Sequence, residues 1–209
     1  MIRIYGIKIN DLPSADVLEN AIGQPLLCAW LDHHGSVTHA SRRRAGLGGL
    51  WLLQQAGFCD SFSYDPHGRP ISRDRAWDFN VTHTDCWVFC AVEILDGASD
   101  RAPRVGLDAE ELGRFDADRR SALVERWCAD GEKEAYRSSP TDECFTRLWT
   151  RKEACVKYSG EGLCAIRLTD VTAGGPLRFA DYQIGDTVLS LCCHKDAEIP
   201  VDVTVLQFS

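Results

Sequence analysis

The sequence predicts a mixed α/β protein built in two units. Three observations predict it. The first residues, Met1-Ile-Arg-Ile-Tyr-Gly-Ile-Lys-Ile9, alternate apolar and polar side chains at the period of a β-strand. The stretch Trp149 to Tyr158 contains neither Gly nor Pro and reads as a helix. Between these two kinds of pattern, residues 96–103 gather Gly, Ala, Ser and Pro and read as a linker. The expected units are therefore 1–100 and 101–209. A hydrophobic content of 44% and a charged content of 26% are those of an ordinary globular protein. No apolar run has the length that spans a bilayer.

In chain order, residues 1–10 and 26–31 read as strands. Residues 38–56 read as a helix, with Ala45, Leu47, Leu50, Trp51, Leu53 and Ala56 supplying its apolar positions. Gly48 and Gly49 each cost such a helix about 1 kcal/mol, so close packing or a kink is expected there. Arg42, Arg43 and Arg44 fall in its first turn, against the helix dipole. Together with the unpaired N–H groups of that turn they make an anion site. Residues 61–76 are turn-rich around Asp65-Pro-His-Gly-Arg-Pro70. Strands over 79–81 and 87–95 pair around Thr82-His83-Thr84-Asp85. The second unit reads as a strand over 104–108, then helices over about 116–130, 131–138 and 144–158. Strands near 165–171, 177–182, 187–194 and 201–207 close it.

The chemistry concentrates in Val105-Gly-Leu-Asp108-Ala-Glu110 and in Trp149-Thr-Arg-Lys-Glu153-Ala-Cys-Val-Lys157. Asp108 and Glu110 are two apart, so on a strand they share a face. Glu153 and Lys157 are four apart, so on a helix they share a face. Each piece alone is ordinary: a solvated strand edge, or an i,i+4 helix pair. Brought together, three carboxylates repel one another unless a cation lies between them. Hard carboxylate oxygens suit Mg²⁺ or Mn²⁺, which keep further positions for water and substrate phosphates. Lys157 would then meet a phosphate oxygen or a leaving group. This outlines a metal-assisted phosphoryl-type transfer.

These segments resemble the 4′-phosphopantetheinyl transferases, in their larger surfactin-synthetase-activating form. Gly68-Arg69-Pro70 is similar to that family's Gly-Lys-Pro element, and Phe79-Asn-Val-Thr82-His83-Thr84 to its Phe-Asn-Leu-Ser-His-Ser element. The four segments occur in the family's order and cover roughly residues 68–160. Arg69 keeps the charge of the commoner lysine with a different geometry. Thr82 and Thr84 keep the hydroxyls of the commoner serines. The resemblance implies two similar α/β halves related by a pseudo-two-fold, with the active site in the cleft between them. It implies coenzyme A as substrate, a serine of an apo carrier protein (acyl, peptidyl or aryl) as acceptor, and Mg²⁺ or Mn²⁺ held by Asp108, Glu110 and Glu153. Glu153, Lys157 and Asp108 would be catalytic, with Glu153 or a water beside it as the base. Arg44, Arg69, Thr82, His83, Lys152 and Lys157 would bind coenzyme A, the arginine cluster reading its 3′-phosphate. Arg151 and Lys152 could instead face solvent.

The net charge of −8 argues against general nucleic-acid binding. An acidic carrier would need a local basic patch, for which Arg114, Arg119, Arg120 and Arg126 are candidates, with Leu112, Phe115 and Trp127 as apolar docking residues. The ten cysteines include no Cys-x-x-Cys pair and read as reduced, small hydrophobes in a cytoplasmic chain without a signal-peptide pattern. No membrane partner is expected, and two halves in one chain suggest a monomer. Two other functions stay open at this stage. One is a metal-dependent phosphohydrolase that cleaves coenzyme A or a nucleotide with water. The other is a non-catalytic protein that binds coenzyme A or a carrier. The acceptor is not named by the sequence.

Overall fold

A computed structural model describes residues 1–35, 39–74, 76–95, 101–162, 166–167 and 169–208. The chain is mixed α/β and divides into two compact units, Met1–Arg104 with Glu198–Ser209, and Val105–Ala197. The sequence reading had put residues 198–209 in the second half. Most of the expected linker, 96–100, lies outside the described residues.

The first unit opens with β1 (Ile2–Lys8), followed by α1 (Ala15–Ala21), α2 (Gln24–His34) and α3 (Ala40–Gln55). A short pair, β2 (Phe62–Tyr64) and β3 (Pro70–Ser72), precedes the long hairpin β4 (Trp77–His83) and β5 (Trp87–Ile94). The sheet runs β4-β5-β1 antiparallel, and a late two-residue strand of this unit (Thr204–Val205) adds to β1 in parallel. Helix α3 carries the core, its Leu47, Leu50 and Leu53 clustering with Val88, Cys90 and Val92 of β5 and Phe79 of β4. The two glycines of α3 serve close approach. An ideal Cβ would lie 2.7 Å from Leu12 Cδ1 at Gly48 and 2.6 Å from Val81 Cγ1 at Gly49.

The strand expected over 26–31 is helix α2. A short apolar run does not distinguish buried helix from buried strand by its period. Pro25 in the first turn, and burial of Leu26, Leu27 and Trp30 along one stripe, are the helix's signature. Helix α1 was not read at all. Thr82 and His83, expected in a turn, end strand β4.

The second unit begins with β6 (Val105–Glu111), followed by α4 (Ala117–Trp127), α5 (Asp130–Ser138) and α6 (Asp142–Ser159), then β7 (Leu177–Ile184) and β8 (Thr187–His194). Its sheet is antiparallel in the order β6-β8-β7. Asp116 caps α4 by accepting from Arg119 N at 2.8 Å, and Thr141 caps α6 by accepting from Cys144 N at 3.1 Å. Gly160, at φ 76°, ends α6. The strand expected near 165–171 is not there among the described residues. The backbone of Thr169 and Val171 bonds Lys152 and Glu132 instead. The last predicted strand, 201–207, shrinks to β9 (Thr204–Val205), the first-unit strand described above.

Among the described residues no helix is long and apolar enough to cross a membrane. The described cysteines are all free thiols. Cys90, Cys128, Cys155, Cys192 and Cys193 are buried, whereas Cys28, Cys59 and Cys86 are exposed rather than acting as core hydrophobes.

Candidate active site

The second unit assembles its polar groups on the face of the sheet that α6 covers. Gly106, Asp108 and Glu110 alternate onto that face of β6, and the antiparallel register extends each into a row across the sheet. Gly106 lies beside Cys192 and Phe179, Asp108 beside Ser190 and Asp181, and Glu110 beside Val188 and Gln183. Helix α6 sits directly on Gly106, where an ideal Cβ would lie 2.0 Å from Ala154 O and 2.6 Å from Tyr158 N. Any other residue there would push the helix off the strand. Thr150 Oγ1 and Ser190 Oγ are 2.7 Å apart, Ser190 donates to Asp181 at 2.9 Å, and Arg151 Nη2 donates to Asp181 at 2.6 Å. Arg151 is thus ion-paired across the sheet rather than only solvated.

Trp149, Glu153 and Lys157 follow at four-residue spacing on one face of α6. Lys157 Nζ donates to Asp108 Oδ1 at 2.6 Å. Arg114, in the turn after β6, pairs with Glu110. The Trp149 indole N–H, one turn before Glu153, favours the ionised Glu153 carboxylate. Asp108 and Glu110 are 4% and 8% exposed. Burial pushes the Glu153 carboxyl up to about 7, and the charges of Asp108 and Glu110 add to the rise while Lys157 and Trp149 oppose it. Burial likewise raises Glu110, against the hydrogen bond and charge of Arg114.

These couplings test the fit of a metal. The Asp108 charge raises both Glu153 and Glu110, and this all-carboxylate donor set is of the kind that suits Mg²⁺ or Mn²⁺. As placed, no three His, Cys, Asp or Glu side chains among the described residues gather closely enough to hold an ion. Lys157 and Arg114 provide the positive charge there.

The other expected site residues stand elsewhere. Lys152, one residue from Glu153, is fully buried and ion-paired with Glu132 at 2.5 Å. Arg44 is spent on backbone: its Nε donates to Pro13 O at 3.0 Å and its Nη2 to Ile9 O at 2.8 Å and to Leu12 O. Arg43 pairs with Glu19 at 2.6 Å, and Arg42 is exposed. Arg69 is 6% exposed, with Nη2 on Asp78 Oδ2 at 2.5 Å. Thr82 is buried near the end of β4, and His83 is exposed. Of the expected basic patch, Arg120 is committed to Asp142 and Phe115 O, while Arg119 and Arg126 are exposed and lie over the rings of Phe115 and Trp127. Sequence reasoning gave Gly106 and Trp149 no role, and set Arg114 in a carrier-facing basic patch rather than beside Glu110. The spacing of Trp149, one turn before Glu153, was the available signal.

The family model described as the 4′-phosphopantetheinyl transferase superfamily matches residues 104–197, the segment that carries this site. The chain is similar to that superfamily over this segment, just under half of its length. It is 33% identical over 106 residues to the 4′-phosphopantetheinyl transferase psf-1 of Bacillus pumilus, covering 49% of this chain and 40% of that one. It is 32% identical over 117 residues to the 4′-phosphopantetheinyl transferase HetI of Nostoc sp., covering 53% and 46%. To the 4′-phosphopantetheinyl transferase Sfp of Bacillus subtilis it is 23% identical over 167 residues, covering 70% and 68%. The match to the first two of these superfamily members spans about half of each relative's length.

Proposed function

We propose that the protein transfers the 4′-phosphopantetheine group of coenzyme A to a serine of an apo carrier protein, releasing 3′,5′-ADP. The observation that carries this reading is the Lys157–Asp108 ion pair, with the charges of Asp108 and Glu110 acting on Glu153, inside the segment that matches the superfamily.

Asp108, Glu110 and Glu153 would hold Mg²⁺, which when bound neutralises pyrophosphate charge and polarises the phosphorus under attack. The rest is work for side chains. The acceptor serine is a poor nucleophile until its proton leaves. Glu153, or a water beside it, would take that proton. The serine oxygen bonds to the pantetheine-bearing phosphorus. The bond from that phosphorus to the bridging oxygen breaks, and 3′,5′-ADP departs with that oxygen. Lys157 donates a hydrogen bond to the departing phosphate while Trp149 holds Glu153 in place. Thr82, His83 and Arg69 serve the binding of coenzyme A, as the family pattern implies. The protein acts as a monomer in the cytoplasm.

The arginine that reads the 3′-phosphate is Arg42, because its two neighbours have structural partners. Arg42→Ala weakens coenzyme A by about tenfold, the scale of one charged hydrogen bond, and leaves 3′-dephospho-coenzyme A unaffected. Arg44→Ala lowers stability without that selectivity. Isothermal titration with both ligands checks this, and equal losses for the two ligands in Arg42→Ala would refute the assignment.

Coenzyme A labelled in its pantetheine group tests the function itself. Label on a carrier serine, matched by an equal amount of 3′,5′-ADP, is expected. 3′,5′-ADP without labelled carrier would mean hydrolysis.

A further inference from the structure

We infer that Cys155 and Cys192 form a reversible disulfide under a hydroperoxide oxidant, one that staples α6 to the central strand of the second unit's sheet. The inference needs neither the metal nor the substrate proposed above.

The placement follows from how α6 lies on the sheet. Thr150 meets Ser190 of β8, Arg151 pairs with Asp181 of β7, and Lys157 pairs with Asp108 of β6. The helix therefore runs over β8, with Thr150 central, Arg151 toward β7 and Lys157 toward β6. Ser190 stands in the row Asp108–Ser190–Asp181. The next row on the same face, two residues along each strand, is Gly106–Cys192–Phe179. One helical turn beyond Thr150 and Arg151 come Ala154 and Cys155. Ala154 does stand over that second row, because its carbonyl oxygen would lie 2.0 Å from a Cβ on Gly106. Cys155, on the β7 side of Ala154, falls over Cys192 and Phe179. Cys155 and Cys192 share one buried cluster against which Phe179 packs, and their thiols interact directly. Cys193 belongs to the opposite face of β8.

A disulfide needs the two Cα atoms roughly 4–7 Å apart, so the two backbones must come close. Gly106, with no side chain to hold α6 away, provides that approach. The loop that the bridge closes runs from α6 through β7 to β8, and a long loop is where a bridge constrains the unfolded chain most. Glu153 and Lys157 lie toward β6, so the bridge closes on the other side of the helix from them.

The chemistry balances with hydrogen peroxide. Of the pair, Cys155 is 6% exposed and Cys192 0%, so a small oxidant meets Cys155 first. Its sulfur attacks a peroxide oxygen, the O–O bond breaks, and a sulfenic acid and one water result. The Cys192 sulfur then attacks the Cys155 sulfur, the S–S bond forms, and the hydroxyl leaves with the Cys192 proton as a second water. Two thiols and one peroxide thus give one disulfide and two waters. A dithiol reverses the step by exchange.

The test uses the full chain, both unsubstituted and with the exposed Cys28, Cys59 and Cys86 changed to serine to remove competing thiols. Hydrogen peroxide is raised to the concentration at which native protein is lost. Each sample is melted, and a second portion is unfolded, alkylated, digested and sequenced by mass spectrometry. The expected result is a peptide linking Cys155 to Cys192, short of two hydrogens and released by dithiothreitol. Melting rises by roughly 5 °C or more, the scale of a bridge across a long loop. Cys155→Ala gives neither the linked peptide nor the rise. Recovery of both cysteines as alkylated thiols at every peroxide concentration overturns the inference. A bridge from Cys155 to Cys128, or from Cys192 to Cys193, overturns the pairing. A linked peptide without a rise in melting overturns the staple, because the bridge would then strain the native fold.

Discussion

Glu153→Gln gives a protein that folds, melts higher than the unsubstituted chain at pH 8, and transfers nothing measurable. On the proposed function, the loss of transfer follows from removing the proposed base and a proposed metal ligand together, and general-base catalysis alone contributes roughly 10²–10⁴-fold. The gain in stability follows from linkage. The Glu153 carboxyl titrates at about 7 in the folded protein against 4.5 for an unperturbed glutamate. Between those values the native state binds more protons than the unfolded chain, so stability falls as pH rises from about 4.5 to about 7 and stays lowered above it. Glutamine has no such titration. The expected difference at pH 8 is on the order of 2 kcal/mol, or a few degrees in melting temperature. Below pH 4.5 the two proteins should melt alike. Added Mg²⁺ reverses the order at pH 8, since a dication favours the ionised carboxylate that only the unsubstituted protein has. Melting curves across pH with and without Mg²⁺ check all of this. A variant that is less stable than the parent at pH 8 without metal would contradict the electrostatic description of the site.

Gly106→Ala is expected to have the largest structural effect of any single methyl addition in the second unit. The atoms that an added Cβ meets at 2.0 and 2.6 Å are the backbone of Ala154 and Tyr158, which cannot move aside as a flexible side chain would. Relief requires α6 to lift from β6. Overpacking typically costs about 1–3 kcal/mol, and this case belongs at or above the upper end. Transfer should be lost even at temperatures where the variant is folded, because Glu153 and Lys157 travel with α6 while Asp108 and Glu110 remain on β6. Chemical denaturation together with transfer rates checks this. A variant with near-normal stability and activity would mean that the strand and helix are not held in this contact.

Much of the site was legible as local geometry. The i,i+2 spacing of Asp108 and Glu110 and the i,i+4 spacing of Glu153 and Lys157 correctly placed each pair on one face. The meeting of the two pairs was not derivable from spacing, since it depends on how α6 crosses the sheet; only the family resemblance supplied it. Lys152, expected among the coenzyme A-binding residues, is buried against Glu132, and the sequence carries a signal of that burial. Phe145, Leu148 and Lys152 recur at i, i+3 and i+7, which sets Lys152 on the apolar stripe where a lysine needs a buried partner. Arg44 could not be read from its own helix. Its partners are carbonyls at the end of a short turn over residues 9–13, and nothing local to α3 announces them. The apolar run over 26–31 fits strand and helix alike, and Pro25 in the first turn is the local signal that favours the helix.

The central claim is that this chain moves phosphopantetheine, and intact-protein mass spectrometry of candidate acceptors tests it most directly. Coenzyme A, Mg²⁺ and a panel of apo carrier proteins are incubated with the protein, with chelator and with Glu153→Gln as controls. A mass gain of one phosphopantetheine on at least one carrier, absent in both controls, is the predicted result. Carriers left at their apo mass while 3′,5′-ADP accumulates would contradict the account and identify a hydrolase.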